Sequence, residues 1–283
     1  EHHESIRVLI KTLIIGLVCG YALVVVLVYS FQRSLMYVPS REALPAPEAA
    51  GVAEMAPIQL RTSDGLVLTS WYAPPNGQKQ VVVLFHGNAG TLAGRAFKAR
   101  YFLDAGYGVL LVGYRGFGEN PGKPTEQGLY IDARTALRHM LDQGYHPKDI
   151  ILYGESLGSG VATQMAWEQA GTFSQNNEPF AALILEAPFT SMGAAAANHY
   201  PWLPAQYLVK DRYDSLSKID QIGTALYIMH GAQDRTVPQS HGRILFDQAS
   251  EPKESHWIEP ARHVDVYDFG AWVSLSKWLK TIK

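Results

Sequence analysis

Short apolar runs alternate with helix-like stretches over most of this 283-residue chain. The apolar runs lie at residues 81–87, 108–116, 149–156, 181–188, 225–231 and 254–260, and the helix-like stretches lie near 91–104, 125–143, 157–170, 238–249 and 268–281. Continuous apolar strands that alternate with helices are typical of a parallel sheet with helices on both faces. The pattern therefore predicts an α/β fold with a mostly parallel sheet and right-handed crossovers.

The part of the chain just before these runs predicts a linker and a hairpin. Residues 39–57 contain four prolines and many alanines, which is typical of an irregular linker. Residues 58–63 and 66–73 flank Asp64-Gly65, a pair that favours a two-residue hairpin turn.

An uncharged apolar stretch of 19 residues lies near the N-terminus, at residues 13–31. About 20 apolar residues at ~1.5 Å rise each cross the hydrocarbon core of a bilayer. A cleaved signal peptide is disfavoured because no small-residue cleavage site follows, and few buried core helices are apolar on all sides. We therefore expect a single membrane-spanning anchor in residues 1–38, the linker in 39–57 and one α/β domain in 58–283.

The partner and the orientation of the anchor are less constrained. Gly16 and Gly20 form a small-xxx-small pair, which allows either a homodimer through this helix or an ordinary anchor that contains two glycines. Arginine and lysine residues are balanced on the two sides of the stretch, so the positive-inside rule gives a tie. On balance we expect the α/β domain outside the cytoplasm.

Composition excludes several other classes of protein. Apolar residues make up 47% of the chain and charged residues 18%, which excludes a disordered protein. The net charge is −2 without a basic stripe, so we expect no nucleic-acid partner. The single cysteine, Cys19, excludes an intramolecular disulfide and a cysteine-based zinc site.

The most informative motif is Gly154-Glu155-Ser156-Leu157-Gly158. It follows an apolar strand and precedes a helix, which is the context of a nucleophile elbow. The two glycines allow close approach of the backbone, and the helix N-terminus favours developing negative charge. Ser156 is therefore the predicted nucleophile.

A serine nucleophile needs a base, and the base needs an orienting acid, here in the chain order serine, acid, histidine. Asp234 follows a late strand, and His263 lies just before the last helix, so these two are the predicted acid and base. Glu186 and Asp265 are rival acids, for which we favour a structural role and a role at a helix N-terminus. His230 is expected to be a buried, hydrogen-bonded strand residue.

The oxyanion of an acyl-transfer intermediate needs two backbone N–H donors. One is predicted at Leu157, directly after the nucleophile, and the other at Asn88, with Ala89 as the alternative. His86 is expected to support this loop.

Residues 189–218 interrupt the strand–helix alternation with large apolar side chains. Either they form a small helical lid over the ends of the strands or they pack as ordinary helices on the sheet. In the lid interpretation, Trp202, Leu203, Tyr207 and Leu208 contact an acyl chain.

These segments together resemble the membrane-anchored branch of the α/β-hydrolase superfamily. The matching segments, within residues 81–265, are "FHGNAG", "GYRGFGENPGKPTEQGLYIDA", "YGESLGSG", "EAPFTSM", "YPWLP", "SLSKI", "HGAQDRTVP" and "ARHVD". The branch is similar to bacterial anchored esterases and phospholipases and to eukaryotic hydrolases that include protein depalmitoylases. The resemblance implies an α/β-hydrolase fold and the triad Ser156, Asp234 and His263.

We therefore expect a single-pass membrane serine hydrolase that acts on acyl esters, lipids or acylated proteins and requires no metal or organic cofactor. A serine peptidase or amidase is the alternative enzyme. A catalytically idle membrane scaffold is the alternative from another class.

Overall fold

An eight-stranded sheet lies at the centre of the structure, a computed structural model that describes residues 2–171 and 178–282. In chain order the strands are β1 (Val38–Pro39), β2 (Ala56–Arg61), β3 (Val67–Ala73), β4 (Val81–Phe85), β5 (Ala89–Gly90), β6 (Gly108–Leu111), β7 (Ile150–Glu155), β8 (Ala182–Glu186), β9 (Ala225–Gly231) and β10 (Lys253–Ile258). The order across the sheet is β10-β9-β8-β7-β4-β6-β3-β2. Only the pairs β2–β3 and β3–β6 are antiparallel within this sheet, so the predicted mostly parallel sheet is confirmed.

Helices cover both faces of the sheet. They are α1 (His2–Met36), α2 (Ala96–Asp104), α3 (Glu126–Asp142), α4 (Leu157–Ala170), α5 (Met192–His199), α6 (Ala205–Leu208), α7 (Gln239–Gln248) and α8 (Ala271–Leu279). Alternate residues of β4 enter opposite cores: Val83 belongs to the core that includes residues of α3, α4 and α7, and Leu84 belongs to the core that includes residues of α2 and α8. Every side chain of β4 is buried, which explains why this strand is apolar throughout.

The connection between β2 and β3 differs from the expected two-residue turn. Strand pairing ends at Arg61 and Val67, and the Thr62 N–H donates to the Leu66 carbonyl at 2.8 Å. The Thr62 hydroxyl also donates to the Asp64 carboxylate at 2.6 Å. This local side-chain bond holds a wider loop of residues 62–66, so the prediction of a two-residue turn is wrong.

The segment at 39–57, predicted to join α1 to the domain, packs against the domain. β1 pairs in parallel with β5, and Val52 and Met55 are buried in the core between the sheet and α2. Prolines give this segment its irregular backbone, and its apolar side chains pack against the sheet. The strand predicted to begin at residue 58 begins at Ala56.

Helix α1 is 35 residues long, and among residues 2–171 and 178–282 it alone is long and apolar enough to cross a membrane. At ~1.5 Å per residue it is about 52 Å long. Near its C-terminal end Arg33 makes two hydrogen bonds, of 2.8 and 2.9 Å, to the carboxylate of Asp211. A Cβ atom built at Gly16 or Gly20 meets no described atom outside the neighbouring helix backbone within 4 Å, and the helix dimer stays a prediction.

Helices α5 and α6 lie within the segment predicted as a lid. They follow β8 on the side of the sheet at which β7 and β9 also end, and they pack against each other. They are separated by a turn at residues 200–204, which contains the exposed side chains of Tyr200 and Trp202. Their position over the carboxyl ends of the strands is that of a small lid.

Candidate active site

Ser156 stands at a sharp turn between β7 and α4. Its φ of +49° and ψ of −114° are strained for a residue with a side chain, at a typical cost of about 1–3 kcal/mol. A Cβ atom at Gly158 would lie 2.0 Å from the Phe85 carbonyl oxygen, and one at Gly154 would lie 2.5 Å from the Gly158 carbonyl oxygen. Only glycine fits at either position, so both flanking glycines are required for the turn that lifts Ser156.

His263 and Asp234 meet Ser156 from two other loops. The His263 Nε2 lies 3.0 Å from the Ser156 Oγ, and the His263 Nδ1 lies 2.7 Å from the Asp234 Oδ2. A carboxylate only accepts hydrogen bonds, so Nδ1 carries the proton and Nε2 accepts from the serine hydroxyl. The three predicted residues thus form a continuous hydrogen-bonded relay.

Both carboxylate oxygens of Asp234 accept hydrogen bonds. Oδ1 accepts from the N–H groups of Thr236 and Val237, both at 2.8 Å. Burial raises the pKa of Asp234, but the hydrogen bonds from His230 and His263 outweigh it and bring that pKa well below its usual range. Asp234 is therefore ionised at neutral pH, as an orienting acid must be.

His230 contacts the candidate acid, which sequence reasoning missed. Its Nε2 lies 3.1 Å from the Asp234 Oδ2 and 2.8 Å from the Val237 carbonyl oxygen. Two acceptors around one ring nitrogen place a proton on Nε2, so His230 donates to the acid and cannot replace His263 as the base. The only signal in the sequence was the four-residue spacing from His230 to Asp234 across the end of β9.

A buried charge cluster lies beneath the elbow. The Lys98 Nζ lies 2.6 Å from both the Glu155 Oε2 and the Glu186 Oε2, and the Arg95 Nη2 lies 2.5 Å from the Glu155 Oε1. Burial raises the pKa of Glu155, but Lys98 and Arg95 outweigh it, so Glu155 stays ionised. The cluster fixes the residue directly before Ser156 and occupies Glu186, which removes Glu186 as a rival acid.

Asp265, the other rival acid, is also engaged elsewhere. Its Oδ1 accepts from the Arg262 N–H at 2.5 Å, which braces the loop that carries His263. It therefore supports the backbone of the base and does not contact the imidazole in the described relay.

Candidate oxyanion donors lie on either side of Ser156. Leu157 is the first residue of α4, so its backbone N–H has no acceptor within the helix. Asn88 follows β4 and lines the same cavity as Ser156 and Leu157. Its side chain donates to the Met36 carbonyl at 2.8 Å, and its own carbonyl accepts from the Val38 N–H at 2.9 Å. Met36 at the end of α1 and Val38 of β1 therefore brace this loop.

Ser156 opens into a largely apolar cavity of about 250 Å³. Leu203 and Leu208 line it, as predicted for the lid, together with Phe189 and Met192. Trp202 and Tyr207 do not line it and are 54% and 74% exposed. The structure therefore does not place Trp202 and Tyr207 at this cavity, because α6 and the turn before it direct these two side chains outward.

His86 is a fully buried histidine behind the candidate oxyanion loop. Its ring packs against Tyr114, with ring centroids 4.3 Å apart, and its Nδ1 lies 2.8 Å from the Gly87 carbonyl oxygen. Burial, with help from nearby Arg95, lowers the pKa of His86 to about 3. The ring is neutral in the folded protein at physiological pH.

This buried histidine predicts acid sensitivity. The unfolded chain binds a proton on His86 below pH ~6.5, whereas the folded chain does not until about pH 3, so stability falls as the pH drops through this window. One pH unit corresponds to 1.36 kcal/mol, so the free energy of unfolding should fall by roughly 2 kcal/mol from pH 6.5 to 5 through this group alone. Denaturant unfolding in micelles is the measurement. Between pH 6.5 and 5, the free energy of unfolding of His86→Phe should fall by roughly 2 kcal/mol less than that of wild type.

His241 and His256 also have lowered pKa values, but they affect the pH dependence of wild type and His86→Phe equally. The difference between the two proteins therefore reports on His86 alone. Phenylalanine keeps the contact with Tyr114. Identical pH dependence in wild type and His86→Phe would contradict the prediction.

Comparison with known proteins adds independent findings. The family described as serine aminopeptidase, S33, matches residues 76–214. Alpha/beta hydrolase domain-containing protein 17B of Homo sapiens is 30% identical over 223 residues, which cover 77% of this chain and 72% of that protein. A lysophosphatidylserine lipase of Danio rerio is 28% identical over 279 residues, which cover 85% of this chain and 72% of the lipase. A solved esterase of Pyrococcus furiosus has the same fold, with a TM-score of 0.66 at 20% identity over 87% of this chain and 98% of the esterase.

The human relative is similar in sequence over most of both chains. The solved esterase has the same fold as this chain. The chain order serine, acid, histidine and the strand–turn–helix setting of Ser156 are those of the same fold. This chain therefore belongs to the α/β-hydrolase superfamily.

Proposed function

We propose that this protein is a membrane-anchored serine hydrolase that cleaves carboxylic ester or thioester bonds of acyl and lipid substrates. The observation that supports this most is the relay Ser156–His263–Asp234 at one end of an apolar cavity. Such a cavity suits an acyl chain, because each buried methylene contributes about 0.8 kcal/mol. The lipase activity named for the relative from Danio rerio is consistent with this substrate class.

The geometry supports an acyl-enzyme mechanism. His263 takes the proton of Ser156 as the hydroxyl attacks the acyl carbonyl, and Asp234 holds the imidazole and stabilises its cationic form. The backbone N–H groups of Leu157 and Asn88 hold the oxyanion, and each such donor typically contributes ~10²–10³ in rate. His263 then protonates the leaving alcohol or thiol, and water releases the acid by the reverse steps.

Anchoring by α1 is part of the proposal. The helix is long and apolar enough to span a bilayer, and an ion pair between Arg33 and Asp211 at its C-terminal end joins it to the domain. An anchor at this position keeps the cavity close to lipid. The side of the membrane on which the domain lies stays a prediction.

A peptidase is the second candidate, because the matching family is described as serine aminopeptidase. A peptide amide requires polar groups that bind its flanking backbone. The cavity is instead largely apolar, with Phe189, Met192, Leu203 and Leu208 among the side chains that line it beside Ser156. These side chains favour an acyl chain over a peptide.

The test compares substrates that share an octanoyl group and differ in the bond that is cleaved. We expect hydrolysis of the p-nitrophenyl ester and the thioester, and no measurable hydrolysis of the p-nitroanilide. Faster cleavage of the anilide would favour the peptidase. A fluorophosphonate probe separates both enzymes from an idle scaffold, since only a working serine nucleophile is labelled.

A further inference from the structure

The last turns of α1 form one wall of the active-site cavity. Val28, Tyr29, Gln32, Leu35 and Met36 line it together with Leu208. An anchor that served only to hold the domain at the membrane would not need to border the space beside Ser156.

Polar contacts hold this wall against the lid. The buried carboxylate of Asp211 accepts two hydrogen bonds from Arg33 and one, at 3.1 Å, from the Tyr37 hydroxyl. Gln32 donates to the Leu208 carbonyl at 3.2 Å and accepts from the Lys210 N–H at 2.7 Å. The helix therefore has a defined rotation and height relative to α6.

The lid also extends along the apolar part of α1. The Tyr21 hydroxyl donates to the Trp202 carbonyl at 3.0 Å. From Tyr21 to Arg33 the helix rises about 18 Å at ~1.5 Å per residue. Any bilayer that surrounds residues 13–31 therefore also reaches the lid, where Tyr200, Trp202 and Tyr207 are 48%, 54% and 74% exposed. Exposed aromatic side chains of this kind are typical of membrane interfaces.

We propose that α1 is a wall of the acyl-chain site, so that the chain of a bilayer-resident substrate enters between α1 and the lid and reaches Ser156 without crossing water. This inference rests on the proposed hydrolase function. It makes the membrane helix a determinant of chain-length specificity, with Val28 as the key contact.

The first test enlarges one side chain of the α1 wall so that it fills part of the cavity. Val28→Trp should lower kcat/KM for the palmitoyl p-nitrophenyl ester about tenfold or more, which corresponds to the loss of roughly two buried methylenes. The loss on the acetyl ester should be smaller, because a two-carbon acyl group buries fewer methylenes. Leu27→Trp is the matched control at the same height, because Leu27 is 47% exposed and does not line the cavity. Equal loss on both esters, or equal effects of the two variants, would overturn the proposal.

A second test needs no substitution. A fluorophosphonate with a diazirine near the end of a long alkyl chain is attached to the full-length protein in vesicles and then irradiated. We expect the mass spectrum to place the cross-link in residues 28–36 as well as in the lid. Cross-links confined to residues 189–218 overturn this inference alone, whereas absence of label on Ser156 overturns the proposed hydrolase function.

Discussion

Replacing Ser156 with alanine is expected to lower kcat for p-nitrophenyl ester hydrolysis by roughly 10⁴–10⁶ while the fold is retained. The hydroxyl is the atom that attacks, and its distance of 3.0 Å from the His263 Nε2 is the geometry of an activated nucleophile. Alanine removes the oxygen and keeps the Cβ atom, so the strained elbow and the packing of α4 are unchanged. Ester hydrolysis and fluorophosphonate labelling of purified protein are the two measurements.

Ser159→Ala is the matched control for this prediction. Ser159 lies three residues further along the chain and is fully buried in α4. Its hydroxyl makes no hydrogen bond to His263 or Asp234 in the described structure, so its variant should retain labelling and turnover. Near-wild-type turnover in Ser156→Ala would remove Ser156 from the mechanism, and a thermal unfolding transition close to that of wild type would exclude misfolding as the cause of any loss.

Most of the sheet was predictable from the sequence, because parallel strands buried on both faces must be apolar throughout. The β4 strand is an example, since each of its five side chains is buried. The hairpin turn was less predictable because a side-chain bond from Thr62 to Asp64 competes with the tight turn that Asp64-Gly65 favours. Short polar side chains change such turns without changing the apolar pattern.

The relay was predictable from its place in the fold, whereas its supports were not. The positions of Asp234 and His263 after late strands follow from topology, but the contact of His230 with the acid depends on the angle at which β9 ends. The pairing of Lys98 with Glu155 and Glu186 joins a helix to two strands that are distant in sequence. No local spacing encodes such a contact.

The role of α1 was the feature furthest from the sequence pattern. Apolar composition predicts a membrane span whether or not the helix contacts the domain. It therefore does not reveal that Val28 and Leu35 line the cavity. Polar contacts between residues far apart in the chain hold the helix there, among them the pair Arg33 and Asp211, which are 178 residues apart. Sequence alone separated the predicted anchor from the candidate site, and the structure places α1 beside the cavity at Ser156.

Replacing Asp234 with asparagine is expected to lower kcat by about 10⁴ without loss of the fold, as in other triads that lose their acid. Because Oδ1 of Asp234 accepts from two backbone N–H groups, the carbonyl oxygen of asparagine would occupy that position. Its NH₂ group would then face the His263 Nδ1. A donor there forces the proton of His263 onto Nε2, which removes the base that accepts from Ser156.

Asp265→Asn separates this tautomer effect from a general loss of charge near the base. Asp265 lies two residues from His263, and its carboxylate braces the loop through the Arg262 N–H, a bond that an asparagine carbonyl can also accept. The variant should therefore keep most of the wild-type kcat on the same ester. If Asp265→Asn caused the large loss and Asp234→Asn did not, the orienting acid would be Asp265. A loss confined to Asp234→Asn, with Ser156 still slowly labelled by fluorophosphonate, would place the defect in proton transfer, because the nucleophile and the candidate oxyanion donors remain in position.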